Sequence, residues 1–208
     1  PHNPMINAGA IMSCSLIRPD LSVSDRFDHV LGVWKSLSGN STVGFNNSIY
    51  LSEKQTADRN FALAYFMREH KAFPKQSNML ETLDFYFQGC SIELNSQAHC
   101  IVAATFANAG ICPITGERVF SAATTKHVLS LMYSCGMYDF SGEFAFHIGI
   151  PAKSGVSGAL ILVVPGVCGI TIWSPPLDRY GNSVKAVEVS KQLVNMFNFH
   201  TYDNLIPD

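Results

Sequence analysis

Lys153, Ser154 and Gly155 stand in a row ahead of an apolar run, and no other stretch of the sequence is better suited to acyl chemistry. Gly155 has no side chain, so a substrate can lie against the backbone there. The N–H of the next residue, Val156, can then point at a developing oxyanion. Alone the triplet is weak evidence, because Lys-Ser-Gly also occurs in ordinary turns before a strand. Other candidate chemistry fails on spacing. The six cysteines (Cys14, Cys90, Cys100, Cys112, Cys135, Cys168) contain no C-x-x-C pair, so neither a zinc ribbon nor a thioredoxin-type motif is present, and reduced thiols are expected. The neighbours His99 and Cys100 lack a second pair at ligand spacing and read as a core position beside a half-exposed histidine. The turn-rich stretch from Ala107 to Gly116 lacks the Gly-Lys-Ser/Thr ending of a phosphate loop. No cofactor or metal is implied.

The elements that must position these residues fall into two regimes. Before residue 140 the pattern is helical. Ser24 can cap a helix carrying Phe27, Val30, Leu31, Trp34 and Leu37, closed by Gly39. A second stretch runs from Leu51 to Lys71 and ends before Pro74. Ser77 opens a third, and Ala98 to Asn108 and Ser121 to Ser134 complete the set. The small residues of 98–108 suit close helix approach. After Gly136 the period shifts to two: Phe144, Phe146 and Ile148 alternate with Glu143, Ala145 and His147, as in a half-buried strand. Gly158–Val164 and Val167–Trp173 read as an antiparallel hairpin about Pro165-Gly166, and Asn182 to Asn198 as a closing helix. The expected layout is one domain over 1–208, with a mostly helical lobe at 1–139 and sheet strands plus a C-terminal helix at 140–208. The fold class is mixed α/β (α+β).

Composition narrows the partners. Hydrophobic residues make up 47% of the 208 and charged ones only 14%, where about a quarter is usual. Such a chain expects to bury surface against a partner or a further part of its own domain. A net charge of −2 and the absence of a basic run argue against nucleic acid. The longest apolar run, Ala159 to Val164, is a buried strand in length and far short of a membrane span, so no membrane insertion is expected. The chain begins at Pro1 without a targeting segment and reads as part of a longer protein.

Several segments, in order along the whole chain, resemble the glutaminase family. They are Pro1-His2-Asn3-Pro4 through Asn7-Ala8-Gly9-Ala10, Ser52-Glu53 with Asp58-Arg59-Asn60-Phe61, Asp84-Phe85-Tyr86-Phe87, and Cys112-Pro113-Ile114-Thr115-Gly116-Glu117-Arg118. Ser134 through Asp139, Pro151 through Val156 and Trp173-Ser174-Pro175-Pro176-Leu177-Asp178 continue the match. Cys112–Arg118 and the Phe199-His200-Thr201-Tyr202-Asp203-Asn204-Leu205 ending look more animal than bacterial. The resemblance implies a β-lactamase/penicillin-binding-like fold, in which Lys-Ser-Gly is a known element. It also implies hydrolysis of the side-chain amide of L-glutamine, a dimer or tetramer, and a mitochondrial location of the animal kind, often with ankyrin repeats following.

The same resemblance implies a glutamine site built from Asn7, Glu53, Asn60, Tyr86, Tyr138 and the backbone of Val156. Glu53 would pair with the substrate ammonium, while amide and phenol donors suit its carboxylate. Tyr138, near Lys153, would relay the proton. Without the resemblance, Asn7 is equally a helix cap, Glu53 a solvated helix face and Tyr86 a core aromatic. The family's nucleophile is the serine of a Ser-x-x-Lys pair. No serine in this chain has lysine three residues on, so that pair and the rest of the sheet are expected upstream. Lys153 fills the Lys-Ser-Gly position and does not stand in for the missing lysine. A truncated, non-catalytic module that binds glutamine or pairs with full-length subunits remains open. So does a penicillin-binding-type acyltransferase, although the contexts of Glu53, Asn60 and Tyr86 point to a free amino acid.

Overall fold

A computed structural model describes residues 3–203. Pro1 and His2 of the first family-like segment, and Asn204-Leu205 of the last, lie outside the described residues. The chain divides into two compact units, Pro1–Lys35 with Thr42–Leu94, and Ser36–Ser41 with Asn95–Asp208.

The first unit is helical. It contains α1 (Asn7–Leu16), most of α2 (Val23–Leu37), α3 (Asn47–Gln55), α4 (Asp58–Glu69) and α5 (Met79–Cys90). The short strands β1 (Gly44–Phe45) and β2 (Ile92–Glu93) pair antiparallel, Phe45 opposite Ile92. Short polar side chains start the helices: Asn46 accepts from the Ile49 amide, and Asn78 from those of Leu80 and Glu81. The continuous helix expected over 51–71 is two helices. Thr56 turns its hydroxyl back onto the Ser52 carbonyl at 2.9 Å, and Ala57 is buried in the core, so the axis breaks between them. Ile11, Ala64, Met67, Leu83 and Phe87 form that core. Arg26 is buried, and among the described residues no carboxylate pairs with it. Its guanidinium donates to the Ile17 carbonyl at 2.8 Å and to that of Cys14, and stacks 4.3 Å from the Phe85 ring. The C-terminal carbonyls of α1 carry partial negative charge and leave acceptors unfilled, which suits a cation there.

The second unit holds α6 (Ser96–Ala107), α7 (Ala122–Cys135), a 3₁₀ turn at Tyr138–Phe140, α8 (Ser141–His147), β3 (Ala152–Ser154), β4 (Ala159–Val164), β5 (Cys168–Trp173) and α9 (Val184–Phe197). The strands form an antiparallel sheet in the order β3-β4-β5, with Lys153 opposite Ile161 and Leu162 opposite Ile170. The hairpin between β4 and β5 is present, with Gly166 at φ +74° in its turn. Leu160, Leu162 and Val164 pack with Met137, Phe144, Ile148, Ala186 and Val194 on one face. On the other face lies α6. A Cβ on Gly169 would sit 2.1 Å from the Ala104 nitrogen, so the small residues of α6 serve contact with a strand, not with another helix. The open edge of β3 is partly covered by the end of α7, since the Ser154 amide donates to the Gly136 carbonyl at 3.1 Å.

The strand expected at Phe144–Ile148 is wrong; the segment is α8. Phe144 and Ile148 are buried while Phe146 is 78% exposed. A spacing of four serves one helical face as well as a strand face, and Ser141 stabilises the helix start by accepting from the Met137 amide at 3.0 Å. The sheet's third strand is instead Ala152–Ser154, the Lys-Ser-Gly triplet's own segment, too short and mixed to show a period.

Candidate active site

In the first unit, four of the expected residues lie on α1, α3, α4 and α5. Asn7 opens α1, but the cap position is Ile6 and carries no side-chain cap. The Asn7 amide donates instead to the Asn60 side-chain oxygen at 2.9 Å. Asn60 is buried on α4. Among the described residues this pairing leaves the Asn7 oxygen and the Asn60 NH₂ for a further partner, an acceptor beside donors. Glu53 sits half-buried on α3, near enough that its charge raises the pKa of both Tyr86 and Cys90. Tyr86 packs on the Phe87 ring with centroids 5.8 Å apart. Burial, then Cys90 and Glu53, push its phenol well above the usual range, so it stays a protonated donor. Burial also pushes the Cys14 thiol up to about 12 and the Cys90 thiol up to about 11. Neither is an activated nucleophile. Nothing in the spacing of these cysteines marks them as neighbours of Tyr86.

In the second unit, Tyr138, Lys153 and Val156 gather about the end of β3. Gly136 makes this possible: a Cβ there would lie 1.8 Å from the Ala152 carbonyl oxygen, so only glycine lets α7 end against β3. Two residues on, Tyr138 adopts φ +55°, the left-handed region that side-chain residues avoid. Its hydroxyl donates to the Ser154 carbonyl at 3.3 Å. The Lys153 ammonium donates to the same carbonyl and lies 4.8 Å from the Tyr138 ring centre. Burial lowers the Lys153 pKa to about 8, and the neighbouring Cys135 acts in the opposite direction. Burial raises that of Tyr138. Val156 is exposed in the turn joining β3 to β4. The place a Cβ would take on Gly181 lies 3.7 Å from both the Tyr138 ring and the Val156 side chain. The sequence pattern assigns neither Gly181 nor its buried neighbour Asn182 to the site; Asn182 enters there only as the start of the closing helix. The Gly181-Asn182-Ser183 run after Pro175-Pro176-Leu177-Asp178 was the available signal.

A lysine poised to gain or lose a proton near neutral pH, beside a protonated phenol and an exposed turn amide, can move a proton and steady an oxyanion. A cleft of about 890 Å³ elsewhere in this unit is lined by Tyr133, Ile150, Val164, Phe197 and Phe199 and contains none of these three residues. Among the described residues no His/Cys/Asp/Glu group is placed to hold a metal, and no helix is long and apolar enough to cross a membrane. His99 is half-buried, with its pKa lowered by burial.

The fold, helices with an antiparallel sheet, is of the β-lactamase-like class shared by solved glutaminases. The structure resembles the probable glutaminase from Bacillus subtilis complexed with 6-diazo-5-oxo-L-norleucine, with a TM-score of 0.90 and 33% identity, over 96% of this chain and 66% of that one. It resembles Mglu in its glutamate form equally in fold, with a TM-score of 0.90 and 34% identity, over 96% of this chain and 45% of that one. The family description Glutaminase matches residues 1–202. The chain belongs to the glutaminase family. It is 55% identical over 205 residues to the mitochondrial liver isoform of glutaminase from Mus musculus, covering 99% of this chain and 34% of that protein. It is 45% identical over 193 residues to glutaminase 2 of Clostridium perfringens, covering 93% of this chain and 62% of that protein. The chain thus spans about a third of the length of its animal relative.

Proposed function

We propose that the protein containing this chain hydrolyses the side-chain amide of L-glutamine to L-glutamate and ammonia. The similarity to glutaminases along 99% of the chain carries this reading, and the site residues fit the chemistry. Glu53 pairs with the substrate ammonium, while Asn7, Asn60 and Tyr86 bind its carboxylate. A serine of a Ser-x-x-Lys pair outside this chain attacks the amide carbon, its lysine taking the hydroxyl proton. The Val156 N–H donates to the oxyanion as the tetrahedral intermediate forms. Tyr138 passes a proton to the leaving ammonia, with Lys153 as the nearby charge. Water then releases glutamate from the acyl-serine. Residues 1–208 are part of one catalytic domain, the protein is a homodimer or homotetramer, and its location is mitochondrial, as the mouse relative's name has it for that protein.

Ammonia release from glutamine by the full-length protein, abolished when the Ser-x-x-Lys serine becomes alanine, is the expected result. The isolated chain should release none above background. The low share of charged residues, 14%, favours burial against a partner and so a second reading, a non-catalytic module that binds glutamine or joins full-length subunits. A parent protein without the Ser-x-x-Lys pair, and without turnover, selects that reading.

A further inference from the structure

The left-handed backbone of Tyr138 is held from both sides. The Ser141 hydroxyl accepts from the Met137 amide at 3.0 Å and donates to the Tyr138 carbonyl at 2.7 Å. On the preceding peptide, the Asn182 side-chain NH₂ donates to the Met137 carbonyl at 3.2 Å. The peptide planes before and after Tyr138 are therefore both pinned, and two pinned planes fix the φ and ψ between them. A strained conformation persists only where its surroundings over-determine it.

Asn182 is itself well anchored. The Asp178 carboxylate accepts from the amides of Tyr180 and Asn182 at 2.8 and 3.0 Å, and the Asp178 amide donates to the Asn182 carbonyl at 2.8 Å. Gly181, at φ +93°, lets this loop lie against Tyr138. Asn182 is 0% exposed, and its side-chain oxygen has no partner. Turning the amide over would set that oxygen against the Met137 carbonyl, acceptor against acceptor. An apolar residue of similar size would fill this place without an orphaned oxygen. The donor to Met137 is what such a side chain lacks.

We propose that Asn182, with Ser141, is a positioning residue for the reaction: the two hold Tyr138 in the one backbone conformation that sets its phenol beside the Ser154 carbonyl and the Val156 turn. The inference rests on the role proposed above for Tyr138. Neither residue touches substrate; both act through Tyr138.

The experiment uses the full-length protein with Asn182→Leu and Ser141→Ala, each alone and combined with Tyr138→Phe. It reads kcat, KM for glutamine and melting temperature. Small misplacement of a catalytic group costs roughly 10²-fold in rate. Each single variant should lose about that much kcat, with KM little changed. Asn182→Leu should melt no lower than wild type, because it removes the orphaned oxygen. On the Tyr138→Phe background neither change should lower kcat further, since there is no hydroxyl left to misplace. Losses that multiply on that background, or wild-type kcat in both variants, overturn the inference. If Asn182→Leu folds poorly, Ser141→Ala, which deletes one oxygen, decides by the same readings. If Tyr138→Phe alone keeps full kcat, the role of Tyr138 fails and this inference with it. A result in which only the Asn182 and Ser141 variants keep kcat leaves Tyr138 in place and removes its proposed supports.

Discussion

The Lys153 ammonium and the Tyr138 hydroxyl share one acceptor, the Ser154 carbonyl, and the ammonium lies 4.8 Å from the centre of the Tyr138 ring. A cation over a ring face is attracted by its quadrupole. The arrangement places a cation beside the phenol without forming an ion pair, so both protons remain available.

Tyr138→Phe in the full-length protein keeps the ring, hence the packing with Lys153 and Gly181, and deletes the hydroxyl. Proton relay by a positioned side chain contributes roughly 10²–10⁴-fold, and kcat should fall by that factor with the melting temperature unchanged. Near-normal turnover in a folded variant would remove Tyr138 from the chemistry.

Glu53→Ala should act on binding. Losing one partner of a buried charge pair costs about 2–5 kcal/mol, felt mainly as a higher KM for glutamine. Wild type should reject analogues lacking the α-amino group, and the variant should discriminate less. Equal discrimination by both proteins places Glu53 elsewhere.

Burial lowers the Lys153 pKa from 10.5 to about 8. Below pH 8 the amine is protonated in both folded and unfolded chains, so the penalty of burying its charge is fully present. Between pH 8 and 10.5 the unfolded chain binds the extra proton, and stability rises with pH. Above that window the penalty is gone. The two pKa values correspond to a penalty on the order of 3 kcal/mol, partly offset by about 1 kcal/mol for the bond to Ser154. Lys153→Met should therefore be more stable than wild type at pH 7 by about 2 kcal/mol, with the advantage fading by pH 10.5. Urea unfolding of both proteins at the two pH values measures this; an advantage that grows with pH contradicts it.

Two glycines should respond oppositely to alanine. At Gly136 the new Cβ would lie 1.8 Å from the Ala152 carbonyl oxygen, a backbone atom that cannot turn aside, and overpacking costs about 1–3 kcal/mol or more. At Gly32, inside α2, nothing lies within 4 Å, and alanine should add up to about 1 kcal/mol through helix propensity. Melting temperatures should move down and up respectively. Loss of activity should accompany only Gly136→Ala, because Tyr138 hangs from that junction.

Local signals in the sequence were enough for much of this molecule. Ser121 and the tight Pro165-Gly166 turn marked a helix start and a hairpin because capping and turn conformation depend on the residues beside them. The apolar run of β4 announced burial on both faces. Order and spacing of the motifs across the chain identified the family, and with it the residues proposed for the site. Tertiary structure alone decided the rest. Phe144 and Ile148 fit either period, and only packing against Met137 and the sheet made their segment a helix. The strand status of Ala152–Ser154 depends on pairing with Leu160–Leu162 across a turn and on the carbonyl of Gly136 at the end of α7, partners its own three residues do not announce. The buried donor on Asn182 left no local trace, because its bond to the Met137 carbonyl joins residues 45 positions apart, and the left-handed turn at Tyr138 depends on that bond as well as on nearby Ser141. What a residue does to its neighbours in the chain can be read from the sequence; what distant residues do to it exists only once the chain is folded.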